Sequence, residues 1–490
     1  MTARGAGERP LEAALLLAGV VLAAVTIRSG VAHHDEGLML AWAGRVADGQ
    51  WLYRDIWSNY PPGQALLDAL LVKIFGPSLL AWRVARVLIG ALAAVLAFRL
   101  VRTRGAGKAT GALAWLGVAG ALAWPLTAGP NASALLLAFA ALLAAPGSLT
   151  RAAVIAGLAG AFRFEVGAAA ALGIVLLAPQ PRVALRAVAV AATTTLAVML
   201  PFLVVAPGDV LDQTLGFAGI ASLQRTALPF DPAGIGLDPN KLLEFWFPAL
   251  RLVGAAVVLT WIVVRRPARL NVLAVPLVAV GVAYLVSRPD EFHLVPLAPA
   301  LAVVAVTGAV TVGARGWRVA LLLVAAVIAV HGVDRQAGLL LHPPALAAVP
   351  GGVGDGVRMP AAEARALSRL IARVRALTPD GEPVLVAPPR YDRVRVGDPL
   401  LNVLLRRPNP SRYDVIQPGV VTTADVQREI AVDLVRTRTP VVVRWLGADA
   451  RRVEENGSGR SSGVYLLDRA IAHDYRQFAR YGDWLVLVRR

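Results

Sequence analysis

Long runs of Ala, Leu and Val recur from Leu11 to Val333, and they limit what this chain can fold into more than any other feature. A stretch of about 20 mainly apolar residues is what crosses a bilayer's hydrocarbon core as one helix. With 57% hydrophobic residues over 490 positions and a mean hydropathy of +0.61, the chain is too apolar for an ordinary water-soluble protein, which averages about 45–50%. The pattern predicts a multi-span α-helical membrane protein. The formal charge of +17 is almost wholly arginine, since Lys73, Lys108 and Lys241 are the only lysines. Much of it falls in short loops between apolar runs, where the positive-inside bias accounts for it. No basic stretch is interleaved with aromatics as in nucleic-acid modules, so a nucleic-acid partner is set aside. Cysteine is absent, which excludes disulfides and thiolate metal sites. The first run is longer than a signal-peptide core and lacks a convincing small-residue cleavage site after it, so it is expected to stay as an anchor.

Hydropathy, with loop charge as arbiter, predicts about eleven crossings. They cover residues 11–31, 79–98, 109–127, 131–146, 151–162, 166–179, 185–206, 247–264, 270–286, 293–312 and 317–333. The stretch 151–179 is too long for one comfortable span, and Arg163-Phe164-Glu165 interrupts it, so two short helices turning there are expected. With Arg4 and Arg9 holding the N-terminus in the cytoplasm, the arginine-bearing loops at 99–108, 147–151, 180–186, 265–269 and 313–318 are then all cytoplasmic. The loops at 32–64, 128–131, 163–165, 207–246 and 287–292 face outward. A single span over 151–179 would put the later arginine loops outside and break the bias. Residues 38–46 and 66–75 suit helices lying in the outer interface, with Trp42, Trp51, Tyr53, Trp57 and Tyr60 at headgroup level. From Asp334 the composition changes. Residues 361–376 and 424–437 read as amphipathic helices, and 383–387, 440–445 and 484–488 as short buried strands. Two domains are therefore expected, a transmembrane one over 1–333 and an extracytoplasmic α/β one over 334–490.

Chemistry-bearing residues gather at the predicted outer ends of the spans. His33-His34-Asp35-Glu36-Gly37 follows the first span, and Arg54, Asp55, Arg163, Glu165, Arg288, Asp290, Glu291 and His293 lie close to others. Ionisable groups at membrane depth are costly and usually have a task or a partner. A carboxylate there can serve as general base on a hydroxyl acceptor if it is held within hydrogen-bond reach. An arginine fork matches phosphate oxygens in pairs, which suits Arg163 and Arg288 to a lipid-linked phosphate. Acid and arginine together fit group transfer from a lipid phosphate donor, because the cation meets the charge that develops on the leaving group. Plain roles are open for the same residues: an Arg163–Glu165 ion pair at a helix turn, a satisfied interface histidine at 293. His33 and His34 with Asp35, or Asp35 with Glu165, could hold a divalent cation, but the spacing is a weak metal signal.

The segment between 33 and 83 resembles GT-C fold glycosyltransferases, nearest the protein O-mannosyltransferase-like family (glycosyltransferase family 39). The matching text is His34-Asp35-Glu36-Gly37, then Gly49-Gln50-Trp51-Leu52-Tyr53-Arg54-Asp55, Tyr60-Pro61-Pro62-Gly63 and Phe75-Gly76-Pro77-Ser78-Leu79. Arg288-Pro289-Asp290-Glu291-Phe292-His293 is similar to an Arg-x-Asp-x-x-His stretch of bacterial relatives. The resemblance covers roughly the first 330 residues. It implies a polyprenyl-phosphate sugar donor and a first outer loop built of interface helices. It also implies Asp35 as the catalytic carboxylate with Glu36 supporting it, and places Arg163 and Glu165 in a second functional loop. Residues 334–490 do not look like a β-trefoil insert and are closer to the periplasmic α/β tails of bacterial GT-C proteins. The expectation is a multi-pass plasma-membrane transferase whose acceptor is an envelope glycan, lipid or protein. His34, Arg54, Asp55, Tyr60, Glu165, Asp290 and His293 would contact substrate. A flippase of lipid-linked sugars and a non-catalytic scaffold with an external binding domain are the competing classes.

Overall fold

The structure is a computed structural model, and it describes residues 8–123, 129–225, 251–262, 264, 274–287, 295–343, 345–454 and 456–490. Helices α1 (Arg9–Ala24), α2 (Asp35–Ala47), α3 (Gly63–Phe75), α4 (Leu79–Arg102), α5 (Lys108–Leu122) and α6 (Asn131–Ala144) come first. Then follow α7 (Leu149–Phe162), α8 (Phe164–Val175), α9 (Pro181–Val205) and α10 (Pro207–Thr214). After the helices Val275–Ser287 and Leu297–Thr311 comes Arg315–Leu341, eight residues longer at its end than the apolar pattern suggests. Among the described helices, α4, α9 and Arg315–Leu341 are long and apolar enough to cross a membrane, and shorter apolar helices pack around them. On α9, Leu185 and Val204 are 70% and 74% exposed. Apolar side chains displayed along a whole helix face belong against lipid tails, not water. The chain is an integral membrane protein.

Two of the sequence expectations concern local breaks. Ser78 caps α4, its hydroxyl accepting the Ala81 N–H, so Gly76-Pro77-Ser78 ends one helix and starts the next. Arg163 is extended (φ −148°, ψ 112°) between α7 and α8, which pack against each other as a hairpin. The segments expected at the interface are α2 and α3, but Trp42 on α2 and Tyr53 and Trp57 after it, expected at headgroup level, are instead buried inside the protein. On α3, Leu70 and Ile74 stand exposed while Ala65, Asp68 and Ala69 are buried, the pattern of a helix lying on a boundary.

Beyond Leu341 the chain turns α/β. A two-stranded pair, β1 (Leu346–Ala348) with β2 (Arg358–Pro360), leads to the helix Ala361–Leu377. A four-stranded sheet runs in the order β3 (Val384–Ala387), β4 (Val441–Trp445), β6 (Trp484–Arg489), β5 (Tyr475–Tyr481). β3 and β4 are parallel, with Val384 beside Val441, and the crossover carries the helices Pro399–Leu405 and Ala424–Arg436. The two hairpin-linked strands β5 and β6 are antiparallel. β3, β4 and β6 fall where buried runs predict strands. β5 does not, because Arg476, Gln477 and Arg480 make it read as polar surface, and it pairs only with β6 at the sheet edge.

One buried cluster unites the two parts of the chain. Leu38, Trp42, Tyr53, Ile56 and Trp57 of the first loop region share a core with Val384, Leu400, Leu401 and Val443 of the α/β segment. Gly37 lies where α2 meets the helix Pro399–Leu405, and a Cβ there would overlap the Leu400 backbone.

Candidate active site

His-Asp-Glu-Gly opens α2, and its two acids have different surroundings. Glu36 is fully buried. Arg83, near the start of α4, donates from Nε to Glu36 Oε1 and from Nη2 to Oε2, each at 2.7 Å. The same guanidinium reaches the Ile27 and Gly30 carbonyls, and the Ala32 N–H donates to Glu36 Oε2. This closed network ties the end of α1, the start of α2 and the head of α4 together. Asp35, the first residue of α2, is only half-buried.

Asp35 shares its neighbourhood with the hairpin turn at Arg163. The Tyr60 phenol lies within the field of Asp35, Arg163 and Glu165 and makes a side-chain hydrogen bond with Arg163. The Arg163 guanidinium stacks 5.1 Å from the Tyr60 ring centroid, and its Nε donates to Glu165 Oε1 at 2.6 Å. Burial pushes the phenol up from its ordinary value; Arg163 pulls it back, and the charges of Asp35 and Glu165 push it up again. Tyr60 therefore stays a hydrogen-bond donor. Gly63 explains why these segments meet. A Cβ on it would stand 2.6 Å from the Ala161 carbonyl oxygen, so the Tyr-Pro-Pro-Gly turn can press on the end of α7 only without a side chain. A crevice beside Tyr60 runs between Trp42, Ser58, Gln64 and Pro130. The buried Trp42 indole N–H has no hydrogen-bond partner among the described residues, and an unsatisfied buried donor is a place for a ligand acceptor.

The remaining expected site residues divide. Arg54 and Asp55 pair with each other at 2.8 Å, and Asp55 also accepts the Trp51 N–H. Hydrogen bonding to Arg54 holds the Asp55 carboxyl below its usual range, and they close the Trp51–Ile56 turn. That turn is strained: Tyr53 is fully buried at φ +71°, its carbonyl held by Gln213 and Arg412. His34 Nδ1 accepts the Gly397 N–H. Arg288, Asp290, Glu291 and His293 lie outside the described residues.

Arg83 was not among the expected site residues, and His33 was weighed only as a weak metal ligand. His33 inserts into the α/β segment, with Nδ1 3.0 Å from Asp398 Oδ1 and Nε2 2.7 Å from Glu363 Oε1. Trp445 and Trp484 flank its ring, and Trp484 Nε1 donates to the other Asp398 oxygen. Burial pushes the imidazole down, but the two carboxylates outweigh it and raise it to about 10. With both ring nitrogens engaged, His33 has no lone pair to give a metal. Among the described residues no group of three or more His, Cys, Asp or Glu side chains is gathered for a cation. Of the pair considered for one, Asp35 and Glu165, the second already carries Arg163.

Comparison with solved structures places this architecture. ArnT from Cupriavidus metallidurans bound to undecaprenyl phosphate matches with a TM-score of 0.58 at 16% identity, over 99% of this chain and 98% of that one. The same protein in the apo state matches with a TM-score of 0.59 at 15% identity over the same shares. The fold is ArnT-like GT-C. No protein-family model matches the chain, and no curated protein does. These neighbours support the GT-C likeness seen in the first loop and not the narrower one to family 39.

Proposed function

We propose that the protein is an inverting glycosyltransferase that moves a sugar from a polyprenyl-phosphate donor to an acceptor at the outer face of the plasma membrane. The observation that carries this reading is the gathering of Asp35, Tyr60, Arg163 and Glu165 from three separate segments at helix ends of a GT-C-like fold. Asp35, the half-buried acid, acts as the base. It takes the proton from the acceptor hydroxyl, whose oxygen forms a bond to the anomeric carbon as the bond to the phosphate oxygen breaks. Polyprenyl phosphate leaves, and Arg163, oriented by Glu165, meets the charge that grows on it. Tyr60 donates a hydrogen bond to the same headgroup or to the sugar. Arg288 is assigned the second phosphate contact, and Asp290 and His293 contacts to substrate.

Two further facts support the reading. A solved neighbour holds undecaprenyl phosphate, a lipid of the donor class. Glu36 is fully occupied by Arg83, so its role is to fix the loop that presents Asp35. A scaffold would have no reason to collect these groups. A flippase would need them to communicate with both membrane faces. Asp35→Asn keeps the shape and removes the base, so kcat for sugar transfer should fall about 10²–10⁴-fold while the protein still binds the donor. Transfer at the wild-type rate by purified Asp35→Asn protein would remove Asp35 from the chemistry.

A further inference from the structure

A second site lies at the carboxyl ends of β3 and β4, the two parallel neighbours of the sheet. In α/β sheets that edge is where ligands bind, because the loops leaving adjacent strands part there and open a crevice. Here the loop after β3 (388–396) and the short helix after β4 (Ala448–Arg451) enclose a cavity of about 250 Å³. Among the described residues, five arginines line it, Arg390, Arg393, Arg395, Arg451 and Arg452, with one lining carboxylate, Glu454. Arg390 is neutralised by Asp392, and Arg395 by Glu454 and Asp449. Arg393, Arg451 and Arg452 have no side-chain partner among the described residues, though Arg393 is half-buried. Like charges drawn around one concavity repel unless an anion sits among them. Their forks fit oxyanions in pairs.

We propose that this pocket binds the oxyanion groups of a cell-envelope glycan, phosphate diesters or uronate carboxylates, and so recruits an anionic acceptor. The identification of the ligand as acceptor rests on the transferase reading above; the binding itself does not. Two observations favour a glycan over a phospholipid headgroup. The lining residues all belong to the α/β segment, and among them only Val453 is an exposed large apolar residue, so the lining itself offers little apolar surface to acyl chains. The pocket also shares a strand-end loop with the clamp on the first loop. Arg395 lines the cavity, Gly397 binds His34, and Asp398 binds His33. Ligand held at Arg393 and Arg395 is thus held on the same few residues that fix the approach to Asp35.

The test uses the full chain in phosphatidylcholine nanodiscs, titrated with poly(glycerol phosphate) oligomers, oligogalacturonate and neutral maltohexaose. The wild type should bind at least one anionic oligomer, more weakly as salt rises, and should not bind maltohexaose. R393Q/R451Q/R452Q should lose that affinity by at least about tenfold with an unchanged unfolding temperature, and the preferred oligomer tells phosphate from carboxylate. Absence of binding by the wild type, undiminished binding by the triple variant, or, in a parallel set of discs containing phosphatidylglycerol, binding to that lipid alone would overturn the proposal. Asp35→Asn should bind the oligomer as the wild type does. If the wild type binds the oligomer but transfers no sugar from a polyprenyl-phosphate donor to any acceptor, the transferase reading fails while the anion site stands.

Discussion

Both oxygens of Glu36 are held by Arg83, so Glu36→Gln leaves a buried guanidinium facing half a partner. Breaking one side of such a pair costs about 3–5 kcal/mol. A marked drop in the unfolding temperature of purified Glu36→Gln protein is expected, with Asp35→Asn staying near the wild type. Equal melting of Glu36→Gln and wild type would remove the structural role. The acidic pair was legible as a candidate because the spacing in His-Asp-Glu-Gly and its place after an apolar run are local facts. Which acid is engaged was not, since Arg83 stands 47 positions further on, in a helix whose apolar character hides it. Arg54 and Asp55 show the converse. They read as substrate contacts beside aromatics, yet the pair they form with each other shapes a turn.

At the level of elements, the break at Arg163 was readable because a charged triplet inside an apolar run has few places to go. The polar edge strand β5 was not, as nothing in its own residues marks it for pairing. Gly63→Ala tests the contact that brings the Tyr60 turn onto α7. The added methyl meets the Ala161 carbonyl at 2.6 Å, so transfer should fall by about tenfold or more as Tyr60 is pushed off Arg163; unchanged kinetics would show that the turn has slack. Asp68 on α3 carries a pH dependence. Burial pushes its carboxyl from 3.8 up to about 7, against hydrogen bonds from Trp82 and Gln64 that pull it down. A carboxyl raised in the folded state contributes stability that is full below its unfolded value and is lost as pH rises through about 7. Asp68→Asn should therefore melt above the wild type near pH 8 and converge with it near pH 4. A constant difference across pH would assign the effect to packing.

For the molecule as a whole, His33 is the pin between the helical part and the α/β segment. Its imidazolium, raised to about 10 beside Asp398 and Glu363, adds stability that is complete below 6.5 and lost as pH climbs through about 10. Wild-type unfolding temperature and transfer rate should both decline across that alkaline window. His33→Gln should start lower and show a flatter profile, and superimposable profiles would dismiss the pin. The helical membrane character was legible from hydropathy, whereas this joint was not. It depends on residues 365 positions apart in the chain and on two tryptophans supplied by different strands.

That separation sets an order of assembly during synthesis. His33 leaves the ribosome early, and Asp398 and Trp484, which hold it, leave it hundreds of codons later. Until the last strand has been made, the turn that carries Asp35 lacks its far anchor. A nascent or prematurely terminated polypeptide would sit in the bilayer with its bundle formed and the loop around Asp35 still unset.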